Sequence, residues 1–204
     1  MIILKSVGAV VFGVLLLSSA QAQTAAQELV DKLADLTSLT GNFEQTLIDE
    51  AGEVIESSSG QFVLQKPGRF YWLTTRPYEQ QLVSNGETIW LYDPDLFQVT
   101  VRQVTADLEK SPALLLSADA DQLSTNYDVA AAQDDGFTLT PRQPQALFDS
   151  LYLGFAGGQI QTVRLNDALG QATVIAFTDT QANVPVDESR FHFVVPDDVD
   201  VLID

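Results

Sequence analysis

The chain has no cysteine, one histidine and ten basic residues among 204. Without cysteine there is no disulfide framework, no thiolate nucleophile, no zinc–thiolate site and no N-terminal cysteine to carry an acyl anchor. The lone His192 alternates with Phe191 and Phe193, which turns it away from the core and reads as a surface histidine, not a triad base. No G-x-S-x-G elbow, H-E-x-x-H pair or phosphate-cradling loop occurs. Asp119 and Asp121 begin like a calcium loop, but the third acidic position is Leu123 and the turn glycine is missing, so an EF-hand is rejected. The carboxylates are many but scattered; an acid pair for glycoside hydrolysis meets in space, so sequence leaves that one possibility open. No catalytic residue, cofactor or metal ligand is assigned.

Basic residues are scarcest where an anionic partner would need them. Ten Lys and Arg face 28 Asp and Glu, a formal charge of −18. Nucleic acid and anionic lipid surfaces are poor partners for such a surface. A basic protein partner fits it, and so does plain solubility. The one long apolar run is N-terminal. Lys5 precedes an apolar stretch from Val7 to Leu17, and Ala20-Gln21-Ala22 is a small-x-small cleavage site. This reads as a signal peptide over residues 1–22, removed to leave a single domain over 23–204 that starts at Gln23. The run falls short of the ~20 residues a spanning helix needs. Without Lys5 the charge becomes −19. A soluble, exported, cysteine-free chain fits a bacterial periplasm.

What the chain does have is apolar alternation. Thr24 and Gln27 have capping-box spacing, and Leu29, Val30, Leu33 and Leu36 then recur at helical spacing. That predicts an amphipathic helix of about three turns, ending before Gly41. Strands are predicted over Gly41–Asp49, from the Ala51-Gly52 turn to Gln65, and over Arg69–Thr75, Gln80–Ser84, Glu87–Asp93 and Phe97–Gln103. Pro67-Gly68 suits the centre of a type II turn. Ser111-Pro112 starts a short helix that is apolar all round, Ala113 to Leu116, and Leu123 sits on another helical turn. The Ala/Asp-rich stretch Ser117–Asp135 is the loosest segment. Strands resume at Tyr127, Phe137–Thr140, Phe148–Phe155, Gln159–Asn166 and Gln171–Thr178, and Phe191, Phe193 and Val195 alternate in a last strand. The fold class is mainly β. One long, mostly antiparallel sheet should curl towards a barrel, with helices over its concave face.

Phe70-Tyr71-Trp72-Leu73 and Ile89-Trp90-Leu91-Tyr92 are bulky on both faces of their strands. Such residues either fill a barrel or line a lidded cavity for apolar ligands; pattern alone leaves both open.

Several motifs carry a resemblance that bears on this choice. They are Leu39-x-Gly41-x-Phe43-x-Gln45, Ser59-Gly60-x-Phe62, Lys66-Pro67-Gly68-Arg69-Phe70-x-Trp72, Pro77-Tyr78-x-Gln80, Val83-Ser84-x-Gly86-x-x-x-Trp90-x-Tyr92-x-Pro94, Gln98-Val99, Ser111-Pro112-Ala113-x-Leu115-Leu116 and Phe191-x-Phe193-x-x-Pro196-x-x-Val199-Asp200. In that order and spacing the chain resembles the LolA family of periplasmic outer-membrane lipoprotein carriers over nearly its whole mature length. The resemblance implies an incomplete antiparallel β-barrel covered by short α-helices, with an apolar cavity for acyl chains. It implies acylated lipoproteins as cargo, an inner-membrane ABC transporter as donor and an outer-membrane receptor as acceptor, with the carrier a monomer. Phe70 and Trp72 match the family's cavity strand, and Leu33, Leu115 and Leu116 match lid positions. Phe43, Phe62, Leu64 and Leu82 are expected as further lining. Lys66 matches a basic latch, commonly arginine, that bonds lid carbonyls; lysine lacks the planar fork, so either the latch is weaker here or the neighbouring Arg69 shares the task. The receptor of the same pathway is itself a lipoprotein, and the missing cysteine argues against it. A lipid- or lipopeptide-sensing module of the same fold and a carboxylate-based hydrolase are the alternatives.

Overall fold

The computed structural model describes residues 25–104, 116–117, 120–143 and 148–203. Twelve strands form one sheet in the order β12-β6-β5-β4-β3-β2-β1-β11-β10-β9-β8-β7. In chain order these are β1 Ser38–Ile48, β2 Val54–Gln65, β3 Arg69–Arg76, β4 Gln80–Asn85, β5 Thr88–Asp93, β6 Gln98–Gln103, β7 Tyr127–Ala131, β8 Gly136–Pro141, β9 Ser150–Ala156, β10 Gln159–Asn166, β11 Ala172–Ala182 and β12 Asp200–Ile203. Helix α1 covers residues 25–34, and α2 covers Ala120–Asn126. The sheet is open: β12 and β7 are its two ends. A twisted sheet of this many strands curls, and the concave side takes the helices.

Most of the predicted elements lie within a few residues of those observed. The Ala/Asp-rich stretch carries α2 and β7, where the helical turn at Leu123 and the strand from Tyr127 are predicted. Leu123, Tyr127 and Val129 are buried in the core, so apolar anchors at short spacing outweigh the Ala/Asp composition. The helix start at Ser111-Pro112 and the cap at Thr24 lie outside the described residues. The Lys66–Pro67 peptide is cis, where the expected type II turn has a trans bond; Gly68 does take positive φ, at 67°.

One prediction is wrong in kind. Phe191, Phe193 and Val195 do not form a strand. Phe191 ends a 3-10 turn, Glu188–Phe191, capped by the Asp187 carboxylate on the Ser189 amide. The last strand is β12, and it runs parallel to β6. To arrive parallel, the chain must first cross the sheet. Residues 183–199 do so on the convex face, with Phe193 against Trp90 and Tyr92 at 6.4 and 5.6 Å between ring centroids. Period-two alternation reports burial of one side of an extended chain, and a strap with one side on a sheet shows it without pairing.

Two glycines of the quoted motifs are dictated by close backbone approach. A side chain at Gly60 would place its Cβ 1.8 Å from the Leu73 carbonyl oxygen, beside a bulge between β2 and β3. One at Gly41 would lie 2.9 Å from the Thr178 carbonyl oxygen.

Candidate apolar binding face and its latch

Cross-strand register builds the site. Phe43 on β1 faces Phe177 on β11. On the other side Gly41 of β1 faces Phe62 of β2, and Leu39 faces Leu64. Phe62 faces Trp72 of β3, and Leu64 faces Phe70. Trp72 in turn faces Leu82 of β4, and Phe70 faces Ser84. Strand side chains two apart share a face, so all of these point to the concave side. Ring centroids lie 4.2 Å apart for Phe43–Trp72, 5.5 Å for Phe62–Trp72 and 4.9 Å for Phe62–Phe177. Phe70 is 0% exposed and Trp72 8%; Phe43, Phe62 and Leu64 are buried with them. Leu82 is partly buried against the same cluster.

The cover comes from the helices. Ala25, Leu29 and Leu33 of α1, Leu116 and Leu123 all join this cluster. Leu115 lies outside the described residues. The concave face is therefore packed against its own cover. Its chemistry is apolar: among the described residues the buried polar side chains are Ser38, Ser84 and Ser117, and no group of His, Cys, Asp or Glu is arranged to hold a metal. Phe177 and Leu29 belong to the site but were not among the expected lining or lid residues. Phe177 follows Ile175 at strand spacing, a signal that was there to be used.

The turn between β2 and β3 ties this cover down. Lys66 Nζ donates to the Leu33 carbonyl at 2.9 Å, near the end of α1, where a cation meets unsatisfied carbonyls. The Lys66 amide donates to the Thr37 carbonyl at 2.9 Å, and the Gly68 amide to the Ser117 carbonyl at 2.9 Å. Arg69 is engaged elsewhere. Its guanidinium pairs with Glu188 and lies over the Phe191 ring, 5.5 Å from the centroid, on the convex side. On the far flank of α1, Lys32 bridges to Asp135 at 2.8 Å. Beyond this site two groups are shifted. Burial raises the Tyr71 phenol, opposed by Arg190. The Ser189 amide, and then its hydroxyl, hold the Asp187 carboxyl below its ordinary value.

Residues 34–194 match the family described as outer membrane lipoprotein carrier protein LolA. The chain belongs to the LolA family. It is 42% identical over 188 residues to the outer-membrane lipoprotein carrier protein of Chromohalobacter salexigens, covering 90% of each chain. It is 41% identical over 190 residues to the protein of that name from Azotobacter vinelandii, covering 91% of this chain and 92% of that one. A LolA superfamily protein from Nitrosomonas europaea has the same fold, with a TM-score of 0.50 at 14% identity, covering 83% of this chain and 98% of that one. In this LolA-family chain the open sheet, its helical cover and the apolar face between them are one unit. No helix among the described residues is long and apolar enough to cross a membrane.

Proposed function

We propose that this protein is a periplasmic carrier that shields the acyl chains of lipoproteins against the concave face and passes them between membranes. The observation that carries the reading is a largely apolar, aromatic-lined face whose cover is held in part by hydrogen bonds from one turn. Each CH₂ buried is worth about 0.8 kcal/mol, so several acyl chains need shielding to cross water. A carrier must also let go. Phe43, Phe62, Leu64, Phe70, Trp72 and Leu82 would meet the chains. Leu33, Leu115 and Leu116 would meet them from the lid, or fill the same space when cargo is absent. Lys66 would hold the lid shut in that empty state. Cargo then competes with the protein's own packing, and the exchange is close to balanced.

The chain has no nucleotide-binding motif, so extraction from the inner membrane falls to an ATP-driven transporter and delivery to an outer-membrane receptor. The signal peptide over residues 1–22 supplies export, and the carrier works as a monomer without a cofactor. Native mass spectrometry of the protein isolated from periplasm tests this directly. Co-purified triacylated or diacylated lipoprotein is expected. Release of free lipid alone, with lipoproteins reaching the outer membrane normally after depletion, would favour the lipid-sensing alternative.

A further inference from the structure

The β2–β3 turn holds two helical segments at once, through Lys66 to Leu33 and through the Gly68 amide to Ser117. A three-residue turn that does so gains from being held itself. Ser84, on β4, is 0% exposed. Its Oγ donates to the Gly68 carbonyl at 2.8 Å and accepts from the Gly86 amide at 3.1 Å. Gly68 and Gly86 both have positive φ, 67° and 96°, and a Cβ on Gly68 would lie 3.4 Å from the Gly86 Cα. The β4–β5 turn thus backs the β2–β3 turn at van der Waals distance, and one hydroxyl joins them. Gly68 is held by its carbonyl on one side and holds Ser117 by its amide on the other.

We propose that Ser84 is a positioning residue for the lid: it fixes the latch turn so that the Gly68 amide acts as a second bolt beside Lys66. This rests on the carrier reading for its purpose, though not for its geometry. It also gives the shared task of the latch to a backbone amide. Arg69, the expected helper, is committed to Glu188 and Phe191. Ser84 reaches the lid through Gly68, so its removal acts by displacing the turn. Ser84→Ala leaves the Gly68 carbonyl and the Gly86 amide, both half-buried, without this partner, at a cost in free energy.

Native-state hydrogen exchange read by mass spectrometry on the full mature protein tests the idea. In Ser84→Ala, amides over residues 29–33 should exchange about tenfold faster, while those of β10 and β11 keep their protection. Lys66→Leu should then accelerate exchange less in the Ser84→Ala background than in the wild type, because the displaced turn has already withdrawn the lysine. Unchanged exchange over residues 29–33, or an equal rise across β10 and β11, would overturn the proposal. If Ser84→Ala does not fold, Ser84→Cys keeps the volume with a weaker donor and is judged by the same two outcomes. The exchange experiment needs no cargo. A loosened α1 in a protein that neither co-purifies with lipoprotein nor transfers it would sink the carrier reading and leave the role of Ser84 standing. Unchanged exchange with transfer impaired by Lys66→Leu would do the reverse.

Discussion

The two faces of the sheet bury aromatic clusters of similar make-up but fasten their covers differently. On the concave face, Phe43, Phe62, Trp72 and Phe177 lie under α1 and Leu116. On the convex face, Val83, Val99 and Phe191 are buried, with Trp90 and Tyr92 against Phe193. The convex cover ends in β12, which is stitched to β6 from Asp200 to Ile203 by the backbone ladder. The described bonds from the concave cover are side-chain and turn bonds instead: those of the β2–β3 turn, Arg142 to the Thr125 and Asn126 carbonyls at the end of α2, Thr37 to the Asn183 side chain, and Lys32–Asp135. Apolar burial is non-directional, so it does not decide whether a cover comes off. The polar fastening decides that. A strap sewn into the sheet is part of the fold, whereas under the proposed carrier function a helix held by side-chain and turn bonds is the cover that would give way to another apolar occupant.

The strongest way to break this comparison is a charge on the concave face. Phe70→Glu puts a carboxylate at a position with no exposure and no described cation within the cluster, at a cost of about 4 kcal/mol or more. It should lower the denaturation midpoint and impair acyl-chain transfer; transfer at the wild-type rate would remove Phe70 from the site. Next comes the convex face. Phe191→Ala should cost about 3 kcal/mol by chemical denaturation and strip Arg69 of its ring contact. Exchange over residues 29–33 should change only as far as global unfolding does, and a selective rise there would show that the two covers are coupled.

Lys66→Leu should be milder in stability and sharper in function. Losing the charged donor to the Leu33 carbonyl shifts lid closure by about 2 kcal/mol with little change in the global midpoint. Reconstituted lipoprotein transfer should be impaired. Transfer that survives this change together with Arg69→Ala would count against a side-chain latch at this turn. The smallest effect belongs to Lys32→Ala. Its bridge to Asp135 is partly exposed, worth about 0.5 kcal/mol, and the difference from wild type should fade as salt rises. A larger, salt-insensitive effect would mean that α1 is held more by this flank than by Lys66.

Much of the concave site could be read in advance because its parts are local. Phe70 and Trp72 are two residues apart in one strand, and Lys66 and Gly68 flank one proline. Period and turn chemistry place such residues without knowledge of their neighbours. Phe177 escaped because it reaches Phe43 across a pairing of β1 with β11, 134 positions along the chain, and no local pattern encodes that partner. Arg69 was misjudged for the same reason. It lies next to the latch in sequence but pairs with Glu188, which the strap brings back to β3.

By itself, then, the amino-acid sequence determined most of the elements, the absence of thiol chemistry, the acidic surface and the family. Those follow from composition, periodicity and motifs spaced within a few dozen residues. Only the tertiary structure decided which aromatics share a face, which cover is sewn in and which is bolted, and that Ser84 and the Gly68 amide sit behind the bolt. Hydrogen bonds between distant segments exist once the sheet has curled and brought those segments together, and register, not local propensity, selects their partners.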